Sequence, residues 1–366
     1  MSGDKKAILL YAGFIRRVLF PLLWLLSLIY GGILLVRNKL FDWGWLKENK
    51  YDLPVISIGN ITVGGTGKTP LTEYVISLLK DKCRVALLSR GYKRKTKGVV
   101  IAEKGSTAVE IGDEPKQIQS KFPEITVVVA EKRREGIDRL LKEKTPDVIV
   151  LDDAYQHRYV KPGLSILMID YNRPLWKDHP FPAGSMREPL SGKKRADIII
   201  VSKCPPGLSD EERDEIIKKT APDAGQVVFF TTVKYMPPEN LSGVKADLQK
   251  DTGVVAVAGI AKPDPFFLFL SERYRIEAKI SFPDHHAFSG DDCRDITTAC
   301  REIKSKKKAI ITTEKDFMRL KEPGCIDEDV KSHIWYIPIK VAFLFDEEEK
   351  FNQLIFNYVE KDKKYR

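Results

Sequence analysis

Apolar residues are spread along this chain in two different ways. From Val18 to Val36, "VLFPLLWLLSLIYGGILLV" is an uncharged run of 19 residues. As a helix it is just long enough to cross a bilayer core. Pro21, Gly31 and Gly32 are expected to interrupt it. The pattern predicts one helix, or a broken helical pair, embedded in or lying on one leaflet, with a full span as the second reading. Trp24, Tyr30, Trp43 and Trp45 suit the headgroup level. Lys5, Lys6, Arg16 and Arg17 precede the run, and Arg37 and Lys39 follow it, so flanking charge gives little orientation. The run is too long for a signal peptide, and no small-residue cleavage site follows it.

Beyond residue 50 the apolar residues come in short continuous runs separated by helical patterns. "PVISIGN" (54–60), 83–89, 125–130, 147–153, 164–170 and 197–203 read as strands buried on both faces, and "DEERDEIIKK" (210–219) reads as one of the covering helices. "GQVVFFTTVKY" (225–235) is a longer strand leaving this region, and the polar "MPPENLSG" marks a boundary. A second set follows at 254–260, 275–282 and 309–317, with 334–343 running back beside 225–235 and a closing helix after it. The expected fold is α/β. A P-loop NTPase-like parallel sheet covered by helices (46–235) is followed by a smaller α/β domain (236–366) and preceded by the apolar membrane helix (1–45).

The glycines sit where this pattern turns from strand to helix. "SIGNITVGGTGKTP" places Gly64, Gly65, Thr66, Gly67, Lys68 and Thr69 between the first strand and "PLTEYVISLLK". Glycines let backbone N–H groups face a phosphate, and a helix N-terminus adds a favourable dipole. Lys68 would reach the β- and γ-phosphates, and the Thr69 hydroxyl would hold Mg²⁺. Pro70 is tolerated in the first helical turn. The strict phosphate-loop pattern needs glycine where this chain has Thr62. The surviving Gly-Gly-x-Gly-Lys-Thr core resembles the deviant loops of partitioning and targeting ATPases, which usually carry a lysine where this chain has Val63.

Composition narrows the partners. With 43% hydrophobic and 31% charged residues, most of the chain can build ordinary cores, and the net charge of +10 favours anionic partners. No zinc-finger spacing or RNA-binding signature accompanies the charge, so nucleic acid is not an expected partner. Five cysteines, an odd number with no C-x-x-C pair, argue for a reducing compartment and against a disulfide framework or structural zinc.

Carboxylates close several of the strands. "VIVLDDAYQHR" ends a strand with Asp152 and Asp153, placed as Mg²⁺-holding aspartates are in phosphate-loop proteins. Adjacent strand residues face opposite sides, so their roles should differ. Gln156 and His157 lie just beyond. "IGDEP" sets Asp113 and Glu114 in a loop. "GSMREPL" brings Arg187 beside Glu188, and arginine can grip phosphate with two parallel bonds. "FPDHHAF" holds Asp284, His285 and His286, without the companion ligands that zinc needs.

Taken in order, the N-terminal apolar segment, "GNITVGGTGKTP", "SRGYKRKTKG", "GDEP", "LDDAYQHR", "REP" and "FPDHH" resemble the tetraacyldisaccharide 4′-kinase family of lipid A biosynthesis. Thr66 stands where many relatives have serine, and Ala154-Tyr155 where Gly-Phe is common. The resemblance implies a kinase on the cytoplasmic face of a bacterial inner membrane, and the expected form is a monomer. It would move the γ-phosphate of ATP to the 4′-hydroxyl of a tetraacylated glucosamine disaccharide 1-phosphate. It further implies Lys68 and Thr69 at the phosphates and Mg²⁺, Asp152 and Asp153 at the metal, and Asp113 as base paired with His285. Gln156, His157, Arg187 and Glu188 would line the site, with Arg90 and Tyr92 near the substrate. A site beside the membrane then makes sense, because the acceptor keeps its acyl chains in the bilayer and its sugar at the surface. The competing readings are a membrane-associated switch ATPase of the partitioning or targeting type and a non-catalytic, membrane-bound nucleotide binder.

Overall fold

Helix α1 (Gly3–Asp42) opens the chain and is followed by β1 (Val55–Asn60), α2 (Lys68–Leu79), β2 (Val85–Ser89), β3 (Val100–Ile101), α3 (Ala108–Ile111), α4 (Asp113–Lys121), β4 (Thr126–Val129) and α5 (Arg133–Glu143). Then come β5 (Val148–Asp152), β6 (Leu164–Asp170), β7 (Ile198–Ser202), α6 (Asp210–Thr220), β8 (Val227–Tyr235), β9 (Gly253–Ala258), α7 (Asp264–Ser271) and β10 (Arg275–Ser281). The last elements are α8 (Gly290–Glu302), β11 (Lys308–Thr313), α9 (Glu314–Leu320), α10 (Glu328–Lys331), β12 (Ile334–Ile337), β13 (Ile339–Phe343) and α11 (Glu348–Lys363). This is a computed structural model, describing residues 3–240, 244–284, 286–305, 307–321 and 325–363. His285 therefore lies outside the described residues.

Two units emerge, Met1–Lys68 with Asp147–Thr232 and Phe343–Arg366, and Thr69–Pro146 with Val233–Ala342. They interleave along the chain, whereas the domains expected from the sequence are consecutive. The difference lies in 69–146, which groups with 233–342, and in 343–366, which groups with the first unit.

In the first unit, strands run parallel in the order β8-β7-β6-β1-β5. β1, β5, β6 and β7 are buried along their whole length, as their unbroken apolar runs require. Parallel strands present their C-terminal ends on one edge. Asn60, Asp152, Asp170 and Ser202 are the last residues of β1, β5, β6 and β7 and share that edge, which is where α/β sheets hold ligands. Beyond β13, Leu344 N donates to Phe230 O at 2.9 Å, so the chain returns beside β8 as expected.

The apolar N-terminal segment forms one continuous helix, not the interrupted pair that Pro21 and the glycines suggested. Proline removes a single intrahelical donor. Gly31 is buried, and a Cβ there would make only ordinary contact with the Pro180 ring, at 3.9 Å, so the helix does not depend on glycine at this position. The helix is inside-out. Its buried positions include Ser27, Gly31 and Asn38, whereas Leu22, Leu25, Ile29, Ile33 and Val36 are all more than half exposed. Leu19–Asp42 is long and apolar enough to cross a membrane, and little of it is buried against protein.

In the second unit, β10-β9-β11-β12 form a four-stranded parallel sheet, and β2-β4 pair in parallel with β3 antiparallel to β4. The stretch "AIITTEKDF" is only half strand. Thr313 turns it into helix by capping α9, its hydroxyl accepting from Asp316 N at 3.2 Å. The fully buried Asp316 carboxylate takes Gly259 N at 2.7 Å and the Thr313 hydroxyl at 2.7 Å, tying the ends of β9 and β11 together. The cysteine expectation fails at one pair, since a disulfide joins Cys293 on α8 to Cys325. The odd count and absent C-x-x-C spacing could not disclose a pair 32 residues apart.

Candidate active site

The phosphate-loop glycines adopt the backbone conformations that only glycine takes readily. Gly64 has φ of 100° and Gly67 of 85°. Asn60, at the end of β1, organises the loop from inside. Its amide donates to Thr66 Oγ1 at 2.9 Å, while its own carbonyl oxygens accept Arg187 Nη2 at the side chain and Gln156 Nε2 at the backbone, both at 2.7 Å. Ser202 Oγ donates to Thr66 O at 2.7 Å. Arg187 also donates through Nε to Thr62 O at 3.0 Å.

Lys68, the first residue of α2, lies 3.3 Å from the Asp153 carboxylate, and the Arg187 guanidinium reaches the same carboxylate at 3.3 and 3.4 Å. Burial alone would raise the Asp153 pKa, but the two cations outweigh it and hold the carboxyl below its usual range. Asp153 has φ of 46°, in the left-handed region that non-glycine residues seldom occupy. Asp152 ends β5 and is buried. The two carboxylates differ in environment because the strand ends at Asp152 and the chain turns at Asp153, not because they alternate along a strand.

Two further cations flank the loop. Arg173 Nη1 donates to Val63 O at 3.0 Å beside Gly64, and Lys203 Nζ donates to Gly65 O and, at 3.0 Å, to Asp170. Lys68, Arg173, Arg187 and Lys203 thus share two carboxylates, Asp153 and Asp170, leaving a positive surplus suited to a polyphosphate. Neither Arg173 nor Lys203 was singled out from the sequence. Their position just past the C-terminal ends of β6 and β7 is the signal that could have found them.

Glu188 is 2% exposed and gripped on both oxygens by Arg195, at 2.6 and 2.9 Å, with Asn38 of α1 at 2.7 Å. Gln156 Nε2 stands 3.5 Å from it. Tyr30 and Arg37 of α1 donate to Arg187 O and Gln156 O at 3.3 and 3.1 Å, and Ser27 Oγ accepts Ala183 N at 2.9 Å. The polar face of the apolar helix is therefore built into the loop that carries Arg187 and Glu188. His157 lies in the turn after β5, its N–H bonded to Ala154 O at 2.8 Å.

The second unit gathers the other motifs. Asp113 is the first residue of α4. Gly112 before it has φ of 92°, and a Cβ there would press on Gly91 at 3.0 Å and Tyr92 O at 3.1 Å. A Cβ on Gly91 would likewise meet Ile111 O at 2.7 Å. Two glycines thus let "SRGY" and "GDEP" touch backbone to backbone. Arg90 and Tyr92 are exposed on that loop. Thr69, the second residue of α2, is half-buried. Asp113 is bound by Arg319 of α9, whose Nε donates to Oδ1 at 3.2 Å and whose Nη2 reaches Oδ2.

Among the described residues, no group of three or more His, Cys, Asp or Glu side chains could hold a metal ion. Magnesium in phosphoryl-transfer sites takes one or two carboxylates and completes its shell with phosphates and water. Asp152 at the end of β5 and Asp153 just past it carry oxygen donors of that hard class.

Comparison with known proteins agrees. The family model described as LpxK, tetraacyldisaccharide-1-P 4′-kinase, matches residues 19–360. A tetraacyldisaccharide 4′-kinase of Phocaeicola vulgatus is 45% identical over 356 residues, covering 95% of this chain and 96% of that protein. One from Flavobacterium johnsoniae is 43% identical over 354 residues, covering 95% and 98%. A crystal structure of LpxK from Aquifex aeolicus in complex with ATP superimposes with a TM-score of 0.73 at 31% identity, covering 94% of this chain and 99% of that one. With a family match across nearly its whole length and relatives at this identity, the chain belongs to the tetraacyldisaccharide 4′-kinase family.

Proposed function

We propose a division of labour among these residues for the reaction of the family, transfer of the γ-phosphoryl group of ATP to the 4′-hydroxyl of a tetraacylated glucosamine disaccharide 1-phosphate. The loop N–H groups of Gly64–Lys68 and the Lys68 ammonium bind the phosphates. Thr69, Asp152 and Asp153 would hold Mg²⁺, which would supply positive charge to offset that of the transferring phosphoryl group. The acceptor oxygen forms the new bond to the γ-phosphorus while the bond to the bridging oxygen of ADP breaks. The hydroxyl proton passes to the Asp113 carboxylate, with His285 as its partner. Arg187, Glu188, Gln156 and His157 line the site, and Arg90 and Tyr92 contact the sugar. Along the chain 46–235 carries the kinase core and 236–366 the smaller domain, with 69–146 grouped with 233–342 and 343–366 with the first unit, and 1–45 associates with membrane lipids at the cytoplasmic face of a bacterial inner membrane. The working form is a monomer, with no nucleic-acid partner.

The observation that carries this reading is the cluster of Lys68, Asp153 and Arg187 at the glycine loop. It supports phosphate chemistry directly, and family membership supplies the acceptor. The test is incubation with γ-labelled ATP and the tetraacyldisaccharide 1-phosphate, followed by product analysis. Label on the 4′-position supports the reading. Label released only as inorganic phosphate, with no lipid product, would favour the switch ATPase instead.

A further inference from the structure

Helix α9 was read from the sequence as part of a strand and assigned no role. Two of its side chains, Lys315 and Arg319, lie four residues apart and so project from one face. Each bridges the same two motifs. Arg319 takes the Asp113 carboxylate with Nε and Nη2 and donates from Nη1 to His286 O at 2.9 Å. Lys315 stands 3.5 Å from Glu114 and donates to Asp284 at 3.2 Å. "GDEP" (112–115) and "FPDHH" (282–286) are far apart in sequence. The helix is fixed at its other end too, where Glu314 meets Lys121 of α4 at 3.2 Å. It therefore holds α4 at both ends, with Arg319 on its first residue, Asp113, and Glu314 on its last, Lys121.

Arg319 and Asp113 are both mostly shielded, at 12% and 15% side-chain exposure. A guanidinium fork on both oxygens fixes the plane of a carboxylate as well as its place, which a lysine cannot do. For a base that must meet a hydroxyl in line with a leaving group, orientation is the quantity that matters, since a misplacement of about 1 Å can cost roughly a hundredfold in rate. We propose that α9 is the clip that assembles the proton-accepting part of the site, and that Arg319 is a positioning residue that orients Asp113 while Lys315 joins the flanking carboxylates. The proposal rests on the reading of Asp113 as the base.

The test uses the full chain in detergent with ATP and the lipid acceptor, measuring kcat and both KM values. The proteins are wild type, Arg319→Ala, Arg319→Lys, Asp113→Asn and the Asp113→Asn/Arg319→Ala double variant. Arg319→Ala should lose roughly ten- to a hundredfold in kcat with both KM values within about twofold of wild type. Added guanidinium ion should restore part of the loss, which a merely structural defect would not allow. The double variant should be no worse than Asp113→Asn, because an orienting residue has nothing left to orient. If Arg319→Ala does not fold, Arg319→Lys carries the test, since it keeps the charge without the fork and should still lose kcat at unchanged KM. An inactive Asp113→Asn beside a fully active Arg319→Ala or Arg319→Lys, or losses that multiply in the double variant, overturns the positioning role and leaves the base in place. A substantially active Asp113→Asn removes the base reading and this inference with it.

Discussion

Lys68 and Asp153 show how one ion pair can serve two purposes. With Arg187 on the same carboxylate, Asp153 is held ionised and the two cations are kept apart at fixed positions. Lys68→Ala should lower kcat/KM by a hundredfold or more, about 3 kcal/mol of transition-state stabilisation. A folded Lys68→Ala protein with near-normal turnover would place the lysine away from the phosphates. Asp153→Asn should lose comparably, because it removes a donor for Mg²⁺ and leaves two cations without their counter-charge, and its residual rate should not recover when magnesium is raised to saturation. These residues were legible because they lie within short motifs whose chemistry is local. Asn38 and Arg195 were not, although both grip Glu188. Asn38 and Glu188 are 150 residues apart, and an asparagine inside an apolar helix reads as a blemish until its partner is known.

At the level of elements, continuous apolar runs marked the parallel strands well, because burial on both faces leaves no polar alternation to confuse. Boundaries set by a single hydrogen bond were harder. The cap from Thr313 turns "EKDF" into helix, and that helix gathers a buried charge cluster at its start. Lys121 of α4 lies 2.6 Å from Glu73 of α2 and 3.2 Å from Glu314 of α9. Burial, and then repulsion from Glu73, pushes the Glu314 carboxyl up from 4.5 to about 7. Between those values the folded protein binds a proton that the unfolded chain releases. Stability from this group is therefore full below about pH 4.5 and is lost as pH rises through 7, by roughly 3 kcal/mol at most. Glu314→Gln should flatten the pH dependence over that window and leave Lys121 paired with Glu73. Thermal midpoints of the variant and wild type at pH 5 and pH 8 give the comparison. An equal fall in both proteins would deny Glu314 that role.

For the whole molecule, the question is whether the apolar helix is an anchor, a scaffold or both. Its outward face carries Leu22, Leu25, Ile29, Ile33 and Val36, each more than half exposed, a stripe that water would not tolerate uncovered. Its inward face carries Ser27, Tyr30, Arg37 and Asn38, each bonded to the 156 or 183–188 region. The net charge of +10 adds attraction for anionic lipid and for a phosphorylated acceptor. Deleting the helix would confound the two roles, since it would strip Glu188 of Asn38 and Gln156 of Arg37. Replacing Leu22, Leu25, Ile29, Ile33 and Val36 with Ser separates them, because none of the inward bonds is touched. Each buried apolar side chain contributes about 1.5–3 kcal/mol of transfer free energy, so five such changes should abolish partitioning. The expected result is loss of co-sedimentation with anionic vesicles while kcat on detergent-dispersed acceptor stays within a few-fold of wild type. Vesicle binding that survives the five substitutions would place the anchor elsewhere. A collapse of kcat in detergent, matched by Asn38→Leu alone, would instead show that the helix acts mainly as scaffold for the loop that carries Arg187 and Glu188.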